Sequence, residues 1–198
     1  MMKQYKVGIF LFDDVEVLDF AGPFEVFSVT RLDDEEHPFD VKTVSEDGGL
    51  LRARNGLRVQ PDYSFDDAPE DFDIFIVPGG LGATQQVVHN DRALSWLRER
   101  REKTPTLASV CTGSYVLAEA GLLNGHRATT HWAYFDEFEH KYPGTALVRD
   151  VKFVDEGALL TSGGISAGIN MSFHLVARLL GTGVARKTAR RMEYDIEI

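Results

Sequence analysis

The sequence is poor in cysteine, since Cys111 is the only one among 198 residues. A single cysteine cannot form a disulfide within the chain, so we expect Cys111 to remain a free thiol in a reducing compartment. No stretch resembles a signal peptide, and no hydrophobic run is long enough to cross a bilayer. These absences predict a cytoplasmic protein with no membrane partner.

Basic residues are also scarce. Lys and Arg total 21 against 31 Asp and Glu, which gives a formal net charge of −10 at pH 7. Such a charge repels a phosphate backbone, so nucleic acid is not an expected partner. The one basic stretch, ARKTARRM from Ala185 to Met192, is spaced like the solvated face of a helix rather than a binding site.

Metal-ligand spacing is missing as well. Six histidines occur, without close pairing or a recognisable ligand motif, so we predict no metal site and no cofactor. No repeat, linker or low-complexity segment interrupts the chain. Residues 1–198 are therefore predicted to form a single domain with one sizeable core.

What is present is an alternation of buried strands and amphipathic helices. Apolar runs typical of strands begin the chain (YKVGIFLF) and recur at residues 39–45, 72–77 and 104–110, and a further pair of strands is joined around residues 155–157. Helical patterns separate several of these runs, as in NDRALSWLRERREK and SAGINMSFHLVARLLG, where Gly181 is the expected stop. This order predicts an α/β fold, a three-layer sandwich whose mainly parallel sheet is flanked by helices.

Two local patterns refine this prediction. Pro23 suits the first position of a helix, which predicts a helix over residues 22–30 with Asp19 just before it. The Asn55-Gly56 pair lies between two alternating runs and predicts a hairpin.

Cys111 lies where a predicted strand turns at once into a predicted helix. A nucleophile on such a turn needs small residues two positions before and after it, and SVCTG provides Ser109 and Gly113. The alternative is that Cys111 is a small core residue, the commonest fate of an unpaired cysteine. If the turn forms, the helix N-terminus is expected to lower the pKa of the thiol.

A nucleophilic cysteine also needs a partner for proton transfer. The residue after Cys111 is Thr112 rather than a histidine, so a carboxyl group is the remaining candidate, and Asp19 is the best placed. A simple helix N-cap is an equally good interpretation of Asp19. His131 could also approach this edge of the sheet, although a hydrogen-bonded structural histidine is the commoner case. Backbone N–H groups after Cys111 and in the Gly79-Gly80 loop could hold developing negative charge.

Four blocks together resemble the ThiJ/PfpI family of the class I glutamine-amidotransferase-like superfamily: GIFLFDDVEVLDFAGPFEVF, DIFIVPGGLGA, ASVCTGSYVLAEAGLLNGHRATTHWAY and LLTSGGISAGINMSFHLVARLLG. The resemblance spans about residues 7–194 and implies a flavodoxin-like fold and a homodimer. Cys-Thr-Gly together with an Asp in the first loop is most similar to the isocyanide hydratase branch. That branch adds water to an isocyanide carbon and produces an N-substituted formamide.

The resemblance also implies roles for individual residues. Cys111 matches the nucleophile, which would form a thioimidate, Asp19 its acidic partner and Thr112 the adjacent hydroxyl. Gly80 and Thr112 match oxyanion-binding amides, and Gly164 and Ile165 match a loop that lines the substrate pocket. Protease-like members carry Cys-His and glyoxalase-like members usually carry Glu in place of Asp, so this chain departs from both.

Other functions remain open under the same resemblance. The blocks also resemble the ligand-sensing N-terminal domains of AraC-type transcription regulators, and a glyoxalase-like or amidase-like member is a further alternative. Because the chain ends at Ile198 and is acidic, we expect a free-standing enzyme with a small-molecule substrate rather than a DNA-binding regulator.

Overall fold

The computed structural model describes residues 3–33 and 35–196. Its strands are β1 (Tyr5–Phe10), β2 (Phe39–Val44), β3 (Leu51–Arg52), β4 (Arg58–Val59), β5 (Ile74–Val77), β6 (Thr106–Val110), β7 (Arg127–Ala128), β8 (Ala146–Leu147), β9 (Phe153–Asp155) and β10 (Leu159–Ser162). Its α-helices are α1 (Val17–Val29), α2 (Leu81–Gln85), α3 (Asp91–Lys103), α4 (Gly113–Glu119), α5 (Phe135–Lys141), α6 (Ala167–Leu180) and α7 (Thr182–Arg191).

Six strands form the main sheet in the order β2-β1-β5-β6-β10-β9. All neighbouring pairs are parallel except β9 and β10, the two strands predicted to be joined around residues 155–157, which pair antiparallel. The remaining strands form two small two-stranded sheets, β3-β4 and β7-β8. The predicted α/β fold with a mainly parallel sheet is confirmed.

The central strands bury both faces because successive side chains point to opposite sides of the sheet. On β5, Ile74 and Ile76 face the core formed with α1, α6 and α7, whereas Phe75 and Val77 face the core formed with α3, α4 and α5. Helices therefore cover both faces, and the predicted three-layer sandwich is confirmed. No helix among the described residues is both long enough and apolar enough to cross a membrane.

The main difference from the sequence prediction lies in the first helix. Helix α1 begins at Val17, five residues before the predicted start, and contains Pro23 in its interior. Phe20 is buried in the core, and Asp19 is fully buried in the first turn. The packing of this first turn outweighs the preference of proline for a helix start.

The other local predictions hold more closely. Asn90 caps α3 by accepting a hydrogen bond from the Ala93 N–H at 3.1 Å, and Gly181 ends α6 with φ of 91°. Asn55 and Gly56 both adopt positive φ in the loop of the β3-β4 hairpin, as the Asn-Gly signal predicts. This hairpin lies outside the main sheet, since β3 and β4 pair only with each other.

The close packing behind Cys111 generates a test of the fold. A Cβ atom added at Gly113 would lie 2.0 Å from the Val77 backbone oxygen, a distance that no real contact reaches. We expect Gly113→Ala to lower the free energy of unfolding by about 2 kcal/mol or more, measured by urea denaturation. Gly183→Ala in α7 is the control, because a Cβ there meets nothing within 4 Å. The control should be neutral or slightly stabilising, and equal losses in both variants would contradict the packing argument.

Candidate active site

Cys111 occupies a strained turn between β6 and α4. Its φ is 57°, in the left-handed region that residues with a Cβ rarely adopt. The Cys111 N–H donates to the backbone oxygens of Ser162 (3.1 Å) and Gly163 (3.2 Å), and the Thr130 hydroxyl donates to the Cys111 carbonyl at 3.1 Å. These bonds hold a conformation that would otherwise cost about 1–3 kcal/mol, as is common at functional sites.

Five other segments of the chain meet this turn at the carboxyl edge of the sheet, where open α/β folds bind ligands. A cavity of about 290 Å³ opens there, lined by Glu16, Arg54, Gly80, Leu81, Cys111, Thr112, His131, Tyr134 and Ile165. Cys111 is only 6% exposed and packs in the core, yet its side chain also lines this cavity. Cys111 is therefore both a core residue and part of the cavity lining, so each of the two sequence interpretations describes it in part.

A larger cavity of about 530 Å³ lies elsewhere, between β9, α6 and the segment after α7. None of the predicted site residues lines it. Five of the predicted residues line the smaller cavity instead: Gly80, Cys111, Thr112, His131 and Ile165. Asp19, Gly79 and Gly164 are not part of its lining.

Asp19 lies in the first turn of α1 and is completely buried. Glu16, not Asp19, is the N-cap of this helix, so the interpretation of Asp19 as a simple cap is wrong. Its Oδ2 accepts a hydrogen bond from the Gly79 N–H at 2.9 Å. Its Oδ1 makes no well-formed hydrogen bond to any described residue, although the Cys111 thiol and the Ile165 N–H both interact with the carboxyl group. One carboxylate oxygen is thus anchored by Gly79 and the other is buried without a well-formed hydrogen bond in the described part of the chain, in a carboxyl group that interacts with the thiol.

Burial is the largest influence on the pKa values of Asp19 and Cys111. Burial, with a smaller contribution from the negative charge of Glu16, raises the pKa of Asp19 to about 7, against the lowering effect of the Gly79, Cys111 and Ile165 contacts. The carboxyl group therefore exchanges its proton close to neutral pH. Such a value suits a group that must accept and return a proton during one turnover.

The pKa of the Cys111 thiol differs from the sequence prediction. Burial, followed by the charge of Asp19, raises the pKa of Cys111 to about 12, whereas the position before a helix predicts a lowered value. Helix α4 has only seven residues, and the N–H groups of Thr112 and Ile165 lower the pKa of the thiol by less than burial raises it. The resting group is a thiol, so Cys111 would act as a nucleophile only if a neighbouring base removed its proton.

Thr112 connects the thiol to the glycine loop. The Gly80 N–H donates to the Thr112 hydroxyl oxygen at 3.0 Å, and the same hydroxyl interacts with the Cys111 sulfur. The Gly80 N–H is therefore directed at Thr112 rather than into open space. The backbone N–H groups that reach the sulfur are those of Thr112 and Ile165. An oxyanion-binding role for Gly80 and Thr112 stays a prediction.

The glycine loop requires its small residues. A Cβ at Gly79 would lie 2.5 Å from the Thr112 backbone nitrogen and 3.0 Å from Asp19 Oδ2. Gly80 has φ of 123°, and a Cβ there would lie 2.4 Å from the Asp14 backbone oxygen. These contacts explain why two consecutive glycines follow β5.

Ile165 and His131 line the cavity, and Gly164 packs against the His131 ring. A Cβ at Gly164 would overlap the His131 ring, at 2.0 Å from Cδ2, and Ile165 has a φ of 55°, unusual for a β-branched residue. His131 Nδ1 accepts a hydrogen bond from the Ala133 N–H at 3.2 Å, and burial lowers the pKa of the ring. His131 thus has the hydrogen-bonded structural position expected for it, while it also lines the cavity.

Sequence reasoning missed Glu16, Arg54, Leu81 and Tyr134, which complete the lining. Arg54 comes from the loop of the β3-β4 hairpin, which no catalytic motif marks. Its backbone N–H bonds the Val15 carbonyl at 2.9 Å and so brings the hairpin against the first loop. Among the described residues, no three His, Cys, Asp or Glu side chains are grouped so as to hold a metal ion.

The chain is similar to known proteins along most of its length. A model described as the DJ-1/PfpI family matches residues 5–178. An isonitrile hydratase from Pseudomonas putida is 36% identical over 189 residues, which cover 96% of this chain and 78% of that protein. The HTH-type transcriptional regulator GbdR from Pseudomonas aeruginosa is 28% identical over 189 residues, covering 96% of this chain but 50% of the regulator.

Two further similarities broaden the comparison. Deglycase PH1704 from Pyrococcus horikoshii is 32% identical over 121 residues, covering 61% of this chain and 66% of that protein. The crystal structure of a ThiJ/PfpI family protein from Pseudomonas syringae superimposes with a TM-score of 0.88 at 24% identity, covering 100% of this chain and 78% of that one. This likeness supports the fold, and the relatives differ in what they do.

The buried carboxyl of Asp19 generates a test of the site. Its pKa of about 7 exceeds the ordinary value of 3.8, so ionisation destabilises the folded state progressively from about pH 4 to 7 and fully above pH 7. We expect Asp19→Asn to be more stable than the parent at pH 8 by on the order of 1–4 kcal/mol, because each pKa unit corresponds to about 1.4 kcal/mol. The difference should disappear towards pH 4, as measured by thermal melts across this range.

Asp136→Asn is the matched control, since Asp136 is exposed and pairs with Arg149 on the surface. It should show no gain at pH 8. A stability gain for Asp19→Asn that is the same at pH 4 and pH 8 would mean that the carboxyl of Asp19 has an ordinary pKa.

Proposed function

The chain belongs to the DJ-1/PfpI family, and from this premise we propose that it is a cysteine-dependent hydratase that adds water to the carbon of an isocyanide. The observation that carries the proposal is the buried pair of Asp19 and Cys111, in which a carboxyl with pKa of about 7 adjoins a thiol in a cavity. The similarity to an isonitrile hydratase over 96% of the chain supports the same substrate class.

The first step joins the sulfur to the isocyanide carbon. Ionised Asp19 takes the thiol proton as Cys111 attacks, which compensates for the raised pKa of the thiol. The isocyanide carbon carries a lone pair and becomes basic as the C–S bond forms, so protonated Asp19 returns the proton to that carbon. The S–H bond breaks, C–S and C–H bonds form, and the product is a thioimidate on Cys111.

The second step releases the product. Asp19, again ionised, removes a proton from a water molecule whose oxygen attacks the thioimidate carbon. The C–S bond then breaks. Of the two protons of the water molecule, one ends on the substrate nitrogen and the other on the Cys111 sulfur, and an N-substituted formamide leaves. One carboxyl group serves both steps, and this kind of assistance contributes roughly 10²–10⁴-fold to the rate.

Backbone N–H groups assist the sulfur as it changes charge. The N–H groups of Thr112 and Ile165 and the Thr112 hydroxyl all favour the thiolate. They stabilise negative charge on the sulfur during attack and again when the C–S bond breaks. The left-handed turn at Ile165 is what aims its N–H at the centre of the site.

A second candidate function is ligand sensing without turnover. It is favoured by the 28% identity to GbdR, a transcriptional regulator of which this chain spans 50%. In that case the same cavity would bind a small molecule, and Cys111 and Asp19 would not be needed for chemistry.

We also propose that the protein is a cytoplasmic homodimer, as the family resemblance implies. Light scattering coupled to size-exclusion chromatography would measure the oligomeric state. A monomer at micromolar concentration would contradict the dimer.

Hydratase turnover separates the two functions. With an alkyl and an aryl isocyanide, followed by the absorbance of the formamide, we expect the parent to turn over and both Cys111→Ala and Asp19→Asn to lose at least about 10²-fold in kcat. Melting temperatures would establish that both variants are folded. Absence of turnover in the parent, with saturable ligand binding untouched by either substitution, would favour sensing.

Thr112 offers a narrower test of the same centre. Thr112→Val keeps the backbone N–H but removes the hydroxyl that contacts the sulfur and accepts the Gly80 N–H, so we expect kcat to fall about 10-fold. Thr112→Ser keeps the hydroxyl and should stay within a few-fold of the parent. If the two variants are equally impaired, the hydroxyl is not the functional group.

A further inference from the structure

An ion pair borders the cavity that contains Cys111. Arg54 Nη1 lies 3.1 Å from Glu16 Oε2, and both side chains line the cavity. The Glu16 side chain is 17% exposed and that of Arg54 is 44% exposed, so the pair lies where the cavity meets solvent. The steps proposed above use neither residue.

The backbone holds Arg54 in this position. The Arg54 N–H donates to the Val15 carbonyl at 2.9 Å, and the Asp14 N–H donates to the Arg52 carbonyl at 2.9 Å. The Arg52 N–H in turn donates to Asp13 Oδ1 at 2.7 Å. The hairpin loop is thus tied to the first loop at several points, and the guanidinium is held next to Glu16.

Glu16 is tied equally closely to Asp19. It is the N-cap of α1, and Asp19 follows three residues later on the same turn. The Glu16 N–H donates to the Gly79 carbonyl at 2.9 Å, while the Gly79 N–H donates to Asp19 Oδ2 at 2.9 Å. A single glycine therefore bonds the Glu16 backbone and the Asp19 carboxyl, while the ion pair with Arg54 holds the Glu16 carboxylate.

We propose that Glu16 and Arg54 act as a tuning pair, in which the negative charge of Glu16 helps to retain the proton on Asp19 and Arg54 limits that effect by neutralising Glu16. The proposal rests on the proposed function in one respect, because it assigns proton transfer at Cys111 to Asp19. Glu16 and Arg54 are positioning residues, since each acts through Asp19 rather than on the reacting atoms.

The charges around Asp19 support an effect of Glu16 that favours the protonated carboxyl. The titratable groups that act on Asp19 are Glu16 on its own helix and Cys111 on the turn after β6. Arg54 and His131 line the adjoining cavity beside Glu16 and Cys111. Glu16 raises the pKa of Asp19 and also acts to raise that of His131. In a partly buried site, water screens such an interaction only incompletely.

The test is a double-mutant cycle of Glu16→Gln, Arg54→Gln and the double variant, read out by the pH at which Cys111 reactivity is half-maximal. The primary probe is the rate of alkylation by iodoacetamide, and the second is kcat/KM for an alkyl isocyanide. In both assays ionised Asp19 is the base that removes the thiol proton, so the midpoint follows the pKa of Asp19 rather than that of the thiol. Glu16→Gln should lower the midpoint by roughly 0.5–1 pH unit, because a like charge is removed from Asp19. Arg54→Gln should raise it, and the double variant should match Glu16→Gln.

Two further variants test whether the charge of Glu16 and the position of Arg54 are what matter. Glu16→Asp preserves the charge and should leave the midpoint close to that of the parent, which a purely structural role for the Glu16 side chain would not predict. Arg58→Gln removes another exposed arginine of the same hairpin, one that does not line the cavity, and should leave the midpoint unchanged.

The outcomes separate this proposal from the proposed function. An unchanged midpoint in folded Glu16→Gln overturns the tuning role, and so does an equal rise caused by Arg54→Gln in the parent and in the Glu16→Gln background. The predicted shifts in alkylation, in a protein that turns over no isocyanide, would support the tuning pair and reject the proposed substrate.

Discussion

The hydrogen bond from the Gly79 N–H to Asp19 Oδ2 is the interaction on which the rest of the site depends. It joins the first turn of α1 to the loop after β5, and it anchors one oxygen of a carboxyl group that has no exposure to solvent. A Cβ at position 79 would displace both Asp19 and Thr112, so glycine is required there. With this bond in place, the second carboxyl oxygen is buried without a well-formed hydrogen bond to any residue that the structure describes, and the carboxyl group interacts with the thiol.

Burial then determines the chemistry of the pair. Removing Asp19 and Cys111 from water raises the pKa of both groups, and a charge on one opposes a charge on the other. The two groups consequently share their protons as a coupled centre rather than titrating independently. A thiol that keeps its proton at rest, next to a carboxyl that exchanges its own near neutral pH, is suited to addition reactions in which the proton moves to the substrate.

Proteins similar to this chain in sequence are named as a hydratase, a deglycase and a transcriptional regulator. The sheet and the strained turn at Cys111 therefore do not by themselves specify an activity. Differences between such proteins must lie in the groups that surround the turn. In this chain these include an Asp rather than a Glu in the first loop, Thr112 after the cysteine, and the paired charges of Glu16 and Arg54.

From the residues alone one can derive the alternating strands and helices, the turn at Cys111 and the convergence of Asp19, Gly79 and Gly80 with it, because these follow from local periodicity and from the shared edge of parallel strands. The start of α1, the position of Arg54 and the high pKa of Cys111 could not be derived in this way. They depend on which groups are buried together and which distant backbone atoms bond, and both are properties of the packed chain. A helix start predicts a more acidic thiol, but the degree of burial, which reverses that effect, is decided only when the layers assemble.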